Sequence, residues 1–171
     1  LAEKFNYQLR SEAFSSGILH DVGKLILSQY FAEEFNQVLS ISEEEYVHIS
    51  QAEERVLGVT HTDIGSWLAE KWNLPARLTS AIAYHHFPGR SPGSESQLPA
   101  LIHLADILCR REEIGDGGGS GFPTLDPSAL RALGVYEETH AAMKNIFCLG
   151  ELLHQEMEKA DIFKSIACGD G

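Results

Sequence analysis

No stretch of this 171-residue chain keeps together the eighteen or so apolar residues that a membrane-spanning helix needs, and its N-terminus lacks the basic-then-apolar order of a secretion signal. Cysteine is scarce as well. Cys109, Cys148 and Cys168 are odd in number, widely spaced and without a CxxC pair, which excludes a disulfide framework and fits reduced thiols in a cytosolic protein. Positive charge is also in short supply: 13 Lys and Arg stand against 25 Asp and Glu, a formal net charge of -12. Such a surface suits neither nucleic acid nor an anionic membrane, because phosphate is held mainly by clustered Lys and Arg. A small phosphorylated ligand at a metal site stays compatible with it. There is no Walker loop, since "GDGGGSG" lacks the Lys-Ser/Thr ending and a preceding strand, and no GxGxxG or Ser-His-Asp signature. A soluble, cytoplasmic protein is the expectation.

What is present is helical pattern. The chain is 43% hydrophobic and long enough to bury a core as one domain, or one domain with an appendage. Its apolar residues recur at three and four rather than two, with no hairpin signals, so the predicted fold class is all-α. Leu1 to Leu19 reads as the end of a helix, and Ile26, Tyr30 and Val38 continue an apolar stripe. Ser42 with Glu45 predicts a capping box for a helix running to Leu57, with Gly58 ending it. Thr60 with Asp63 repeats that logic for a helix over His61 to Trp72, and Pro75 opens one reaching His86. Pro99 opens the next, to about Arg111. Gly117 to Gly119 mark a flexible loop over residues 112–126, Asp126-Pro127 a helix start and Gly134 a stop. A last helix is expected from Glu137 to Ala160, with Met143, Ile146, Phe147, Gly150, Leu153 and Met157 on one face that packs on the body or on a second copy, as a homodimer.

The chemistry concentrates in "GILHDVGK", where His20 and Asp21 lie side by side in an apolar run before a flexible Gly and Lys24. Alone, an HD dipeptide is most simply a helix-end pair with a solvated Lys. His61, however, falls on the buried stripe of its helix with Ile64 and Leu68. His85 and His86 close a helix whose inward face carries Leu78 and Ile82. Asp106 interrupts the apolar run "LIHLADILC". Each has an ordinary explanation singly, but buried imidazoles and carboxylates all need partners, and the explanations must hold together. A mixed imidazole and carboxylate set suits Fe, Mn or Zn. His48, His103, His140 and His154 read as structural or surface histidines. Glu53 and Glu54 read as a solvated face, with a supporting role for a metal ligand as the weaker alternative.

Taken in order, "GILHDVGKLIL", "ERVLGVTHTDIGSWLAEKWNLPARLTSAIAYHH" and "LPALIHLADILC" resemble the HDOD branch of the HD superfamily, over roughly Leu1 to Arg111. The resemblance implies an HD-domain-like helical bundle over residues 1–111, with residues 127–171 as C-terminal helices packed on it, from a bacterial signalling protein. By similarity to the active HD phosphohydrolases, His20, Asp21 and Asp106 match the ligands of one divalent metal. His61, His85 and His86 match those of a second, with Asp21 bridging, and Lys24 matches the contact to substrate phosphate. The implied function is metal-dependent hydrolysis of a small phosphoester or nucleotide, with Asp21 and Lys24 catalytic and one or two ions bound. The alternative is a non-catalytic regulatory scaffold acting through signalling partners or a fused regulatory domain. The residues after the double His are "FPGRSPG" rather than the Gly-Tyr-Pro of the cyclic di-GMP hydrolases, so that substrate is not expected. HD enzymes also take a His from an upstream helix, and Leu1 to Leu19 has none. Either that ligand lies on an N-terminal part of the domain outside this chain, or one metal position is a ligand short.

Overall fold

The computed structural model describes residues 1–92, 96–115, 124–136, 146, 148–151, 153, 155 and 157. Among them every regular element is helical: α1 (Arg10–Leu19), α2 (Val22–Tyr30), α3 (Ala32–Glu45), α4 (Ile49–Leu57), α5 (His61–Lys71), α6 (Ala76–Tyr84), a 3-10 turn (Pro88–Arg90), α7 (Gln97–Arg111) and α8 (Pro127–Ala132). Residues 146, 148–151, 153, 155 and 157 are helical too, and Ile146 is buried whereas Met157 is exposed. Met143, Phe147, His140, His154, Cys168 and Gly117 to Gly119 lie outside the described residues.

Two apolar clusters organise the bundle. One joins α6, α7 and α8 through Ala81, Leu101, Leu104, Leu108, Leu130 and their neighbours, and the other joins α2, α3 and α4 through Leu27, Phe35, Val38, Ile49 and Ala52. Each fully buried Leu contributes about 1.5–3 kcal/mol relative to an exposed one. Helices α5 and α6 pack on each other, with α2 against α5 and α7 against α6, so the α2/α5/α6 junction falls between the clusters.

Several terminators follow the sequence. Thr60 and Asp63 form the reciprocal capping box of α5, Asp126 caps α8 with Pro127 behind it, and Gly58 and Gly134 adopt positive φ. Others depart from it. Ser42 and Glu45 lie inside α3, where the buried Ser42 hydroxyl donates to the Val47 carbonyl, and left-handed Tyr46 ends the helix. The N-cap of α4 is His48, whose Nδ1 accepts from the Ser50 N–H. Tyr30 is exposed and Leu27 takes the core position instead. Helix α7 begins at Gln97, before Pro99, which its first turn tolerates because N–H groups there have no intrahelical acceptor. As the sequence suggests, a helix ends at Leu19, and His20 and Asp21 form the break between α1 and α2.

Candidate metal centre

That break is what aims Asp21. As N-cap of α2, Asp21 leaves the helical path and sends its carboxylate toward the N-terminus of α5 and the C-terminus of α6. Close approach of α2 to α5 is possible because Gly23 faces the His61 carbonyl and Gly65 without a side chain between them. One ligand atom each from Asp21, His61, His85 and His86 then lies within 4.8 Å of all the others. The three imidazoles are buried, and Asp21 is partly exposed.

Hydrogen bonds fix which nitrogens carry protons. Glu53, fully buried on α4, accepts from the His61 backbone N–H (2.9 Å) and from His61 Nδ1–H (2.7 and 2.8 Å), so His61 Nε2 holds a lone pair. His85 Nδ1–H donates to the Ile82 carbonyl (2.9 Å), which leaves its Nε2 as a lone pair too. These two nitrogens stand 3.4 and 3.6 Å from Asp21 Oδ1, and His61 Nε2 is 3.0 Å from His86 Nε2. At 3.6 Å the Asp21 to His85 approach is too long for a hydrogen bond, and both Asp21 Oδ1 and His85 Nε2 are buried without a partner. Converging lone pairs and a carboxylate oxygen repel unless a cation sits among them. The donor set therefore fits a divalent metal of the Fe, Mn or Zn kind, with Glu53 orienting one ligand as outer carboxylates commonly do.

The electrostatics agree. Burial alone would raise the Asp21 carboxyl, but the neighbouring His20 and His85 imidazoles and the Lys24 charge outweigh it and hold the group far below the usual carboxylate range. Burial keeps His61 and His85 neutral, at about 3 and about 4, and lowers His86 well below its ordinary value. Glu53 is pushed up to about 7 by burial, against the His61 N–H. His20 behaves differently: burial disfavours its proton, yet Asp21 more than compensates and the pKa rises. Its Nδ1–H donates to the Gly17 carbonyl (2.8 Å) and its Nε2 lies 3.4 Å from Asp21 Oδ2, beside the cluster. Lys24 Nζ donates to the same Oδ2 at 2.8 Å. Asp106, on α7, is outside the four-residue cluster and pairs with Arg110.

Two neighbours take other places than the sequence reading favoured, Glu53 filling the supporting role it held as the weaker alternative. Glu53 is not on a solvated face; only Glu54 is exposed. Ile49, Ala52 and Glu53 share the buried side of α4, a spacing that signals an inward carboxylate. His48 is not a surface histidine: its ring packs edge-on against His86 with centroids 4.4 Å apart, and burial lowers it to about 4. His103 is structural, donating from Nδ1 to the His85 carbonyl (2.8 Å) and accepting the Asp126 N–H at Nε2 (3.0 Å). On its other side His86 borders a cleft of about 710 Å³, lined also by Thr62, Tyr84, Phe87, Arg55 and Arg90. Replacing Glu53 by Gln, which cannot both accept from Nδ1–H and keep the negative charge, is expected to weaken metal binding about 10–100-fold. Titration with Mn(II) or Zn(II) checks it.

Comparison with known proteins gives a consistent picture. The family model of the HDOD domain matches residues 1–88, which include every residue of the cluster. A protein of Treponema pallidum (strain Nichols), described as uncharacterized, is 24% identical over 102 residues, 60% of this chain and 20% of that protein. The crystal structure of an HDOD domain protein with unknown function from Geobacter sulfurreducens matches with a TM-score of 0.66 and 25% identity, covering 99% of this chain and 56% of that one. This chain thus spans a fifth of the curated relative and just over half of the solved structure.

Proposed function

The chain belongs to the HDOD domain family, and on that premise we propose that it is a bacterial signalling domain that retains a divalent metal site and uses it to hydrolyse a small phosphoester or nucleotide. The observation that carries this is the convergence of Asp21 Oδ1 and His85 Nε2, both buried without a hydrogen-bond partner, beside His61 Nε2. Asp21, His61, His85 and His86 would hold the ion, with His20 at its edge. Bound there, a divalent cation supplies Lewis acidity and lowers the pKa of water into the neutral range. Glu53 and the Ile82 carbonyl keep the two imidazole lone pairs aimed inward. Lys24, held beside Asp21, would offset negative charge on a phosphoryl group.

A second reading is a regulatory scaffold whose metal is structural. Phe14 and Ile18, one turn apart on α1, are 71% and 65% exposed and suit a protein contact better than water. Elemental analysis after loading with Mn(II), Fe(II) or Zn(II), followed by assays with p-nitrophenyl phosphate and its bis ester, separates the two. Turnover that disappears in Lys24→Ala with metal retained supports hydrolysis. Stoichiometric metal with no turnover favours the scaffold, and no metal removes the basis of the proposed hydrolysis.

A further inference from the structure

We infer that this centre takes a single metal ion, because the Arg110 guanidinium is paired with the Asp106 carboxylate that a second ion would need. The inference rests on the reading of Asp21, His61, His85 and His86 as a metal site, and it departs from the two-ion arrangement implied by resemblance to the active HD enzymes.

A second ion on the His20 side would draw on His20, on Asp21 Oδ2 and on Asp106. Each is already engaged. Lys24 Nζ sits 2.8 Å from Asp21 Oδ2. Arg110 lies one turn after Asp106 on α7 and places Nε 3.1 Å from Asp106 Oδ1. The Arg110 and Asp106 side chains are only 13% and 11% exposed, so water screens the pair little and separating it leaves a poorly solvated charge. A divalent ion against Asp106 would have to displace the guanidinium or lie beside it, and like charges a few ångströms apart repel strongly in a low-dielectric site. His20 Nδ1–H is spent on the Gly17 carbonyl, and its Nε2 already lies 3.4 Å from Asp21 Oδ2. Asp21 Oδ1 and His85 Nε2, by contrast, are buried without a hydrogen-bond partner among the described residues.

Native mass spectrometry of the full 171-residue chain loaded with excess Mn(II) tests this. The expected result is one Mn(II) per wild-type chain, two in Arg110→Met, which keeps the packing of the aliphatic stem but frees Asp106, and one in Arg110→Lys, which keeps the charge. Mn(II) electron paramagnetic resonance should show an isolated ion in wild type and an exchange-coupled pair in Arg110→Met. Two ions in wild type would overturn the inference while leaving the metal-centre reading intact. So would a single ion in an Arg110→Met protein whose circular dichroism matches wild type. No bound ion in wild type would instead overturn the metal-centre reading, and this inference with it.

Discussion

Replacing Gly23 by Ala is expected to lower the unfolding midpoint by several degrees and to abolish stoichiometric metal binding together. A Cβ at residue 23 would collide with the His61 carbonyl, coming 2.7 Å from its carbon and 3.0 Å from the Gly65 nitrogen. Both obstacles are backbone, so no rotamer change relieves them. Overpacking of this kind costs about 1–3 kcal/mol and sometimes more, against about 1 kcal/mol that Ala gains over Gly inside a helix. The relief available is to push α2 away from α5. That movement draws Asp21, two residues earlier, off His61 and His85. Gly65→Ala provides the comparison: its nearest obstacle is the Ile82 Cγ2 methyl at 2.8 Å, a side chain that can shift, so the loss should be smaller and metal should still bind. Thermal unfolding with and without Zn(II) measures both; equal behaviour of the two variants would contradict the close α2/α5 approach.

The second large effect is with pH. His48, His61 and His85 stay neutral in the folded chain down to about 4, about 3 and about 4, and His86 and His103 are lowered as well, burial being the leading cause for all five. The unfolded chain protonates the same groups near 6.5, so below that pH it binds more protons than the native state, and stability falls with acid. Each such group costs about 1.4 kcal/mol per pH unit until its folded pKa is reached. Two groups oppose the trend. Glu53, raised to about 7, keeps a proton in the fold that the unfolded chain has lost above 4.5, and the raised His20 favours the folded state as pH falls. Five against two leaves metal-free protein losing several kcal/mol between pH 6.5 and 4. Metal engages the same imidazole lone pairs, so it should move the acid transition to lower pH. Urea unfolding at a series of pH values, with and without Mn(II), reads this out, and a flat profile for the metal-free protein would refute the buried neutral histidines.

Much of the cluster is legible because His61 opens α5 and His85 and His86 follow directly on α6, helices whose boundaries are written locally. Thr60 and Asp63 mark the start of α5, so His61 is its first residue, and Pro75 sets a register that carries Leu78, Ile82 and His85 inward. Several helix ends follow from similar signals at Gly58, Asp126 and Gly134, whereas the single stripe through Ile26, Tyr30 and Val38 is two helices broken at Phe31. What was not legible depends on contacts between helices. Glu53 looks like its exposed neighbour Glu54 until α4 is laid against the start of α5, when its carboxylate becomes the partner of His61. His48 reads as one more polar residue in an acidic stretch, and only the fold brings it against His86. Gly23 looked like flexibility beside a ligand pair, whereas its work is steric. Ser42 and Glu45 satisfy the capping pattern, yet tertiary burial of Phe35, Val38 and Ser42 carries α3 through them.

The most direct measurement is the metal content of the purified chain beside that of Asp21→Asn and His85→Ala, each loaded with excess Mn(II), desalted and analysed for the element. Wild type should keep a stoichiometric ion. Asp21→Asn removes the only carboxylate of the cluster and His85→Ala removes an otherwise unpartnered lone pair, so both should lose that ion, with an affinity at least about 100-fold weaker by the scale of losses at such sites. Equal metal in all three proteins, or none in the wild type, would contradict a centre built on Asp21, His61, His85 and His86.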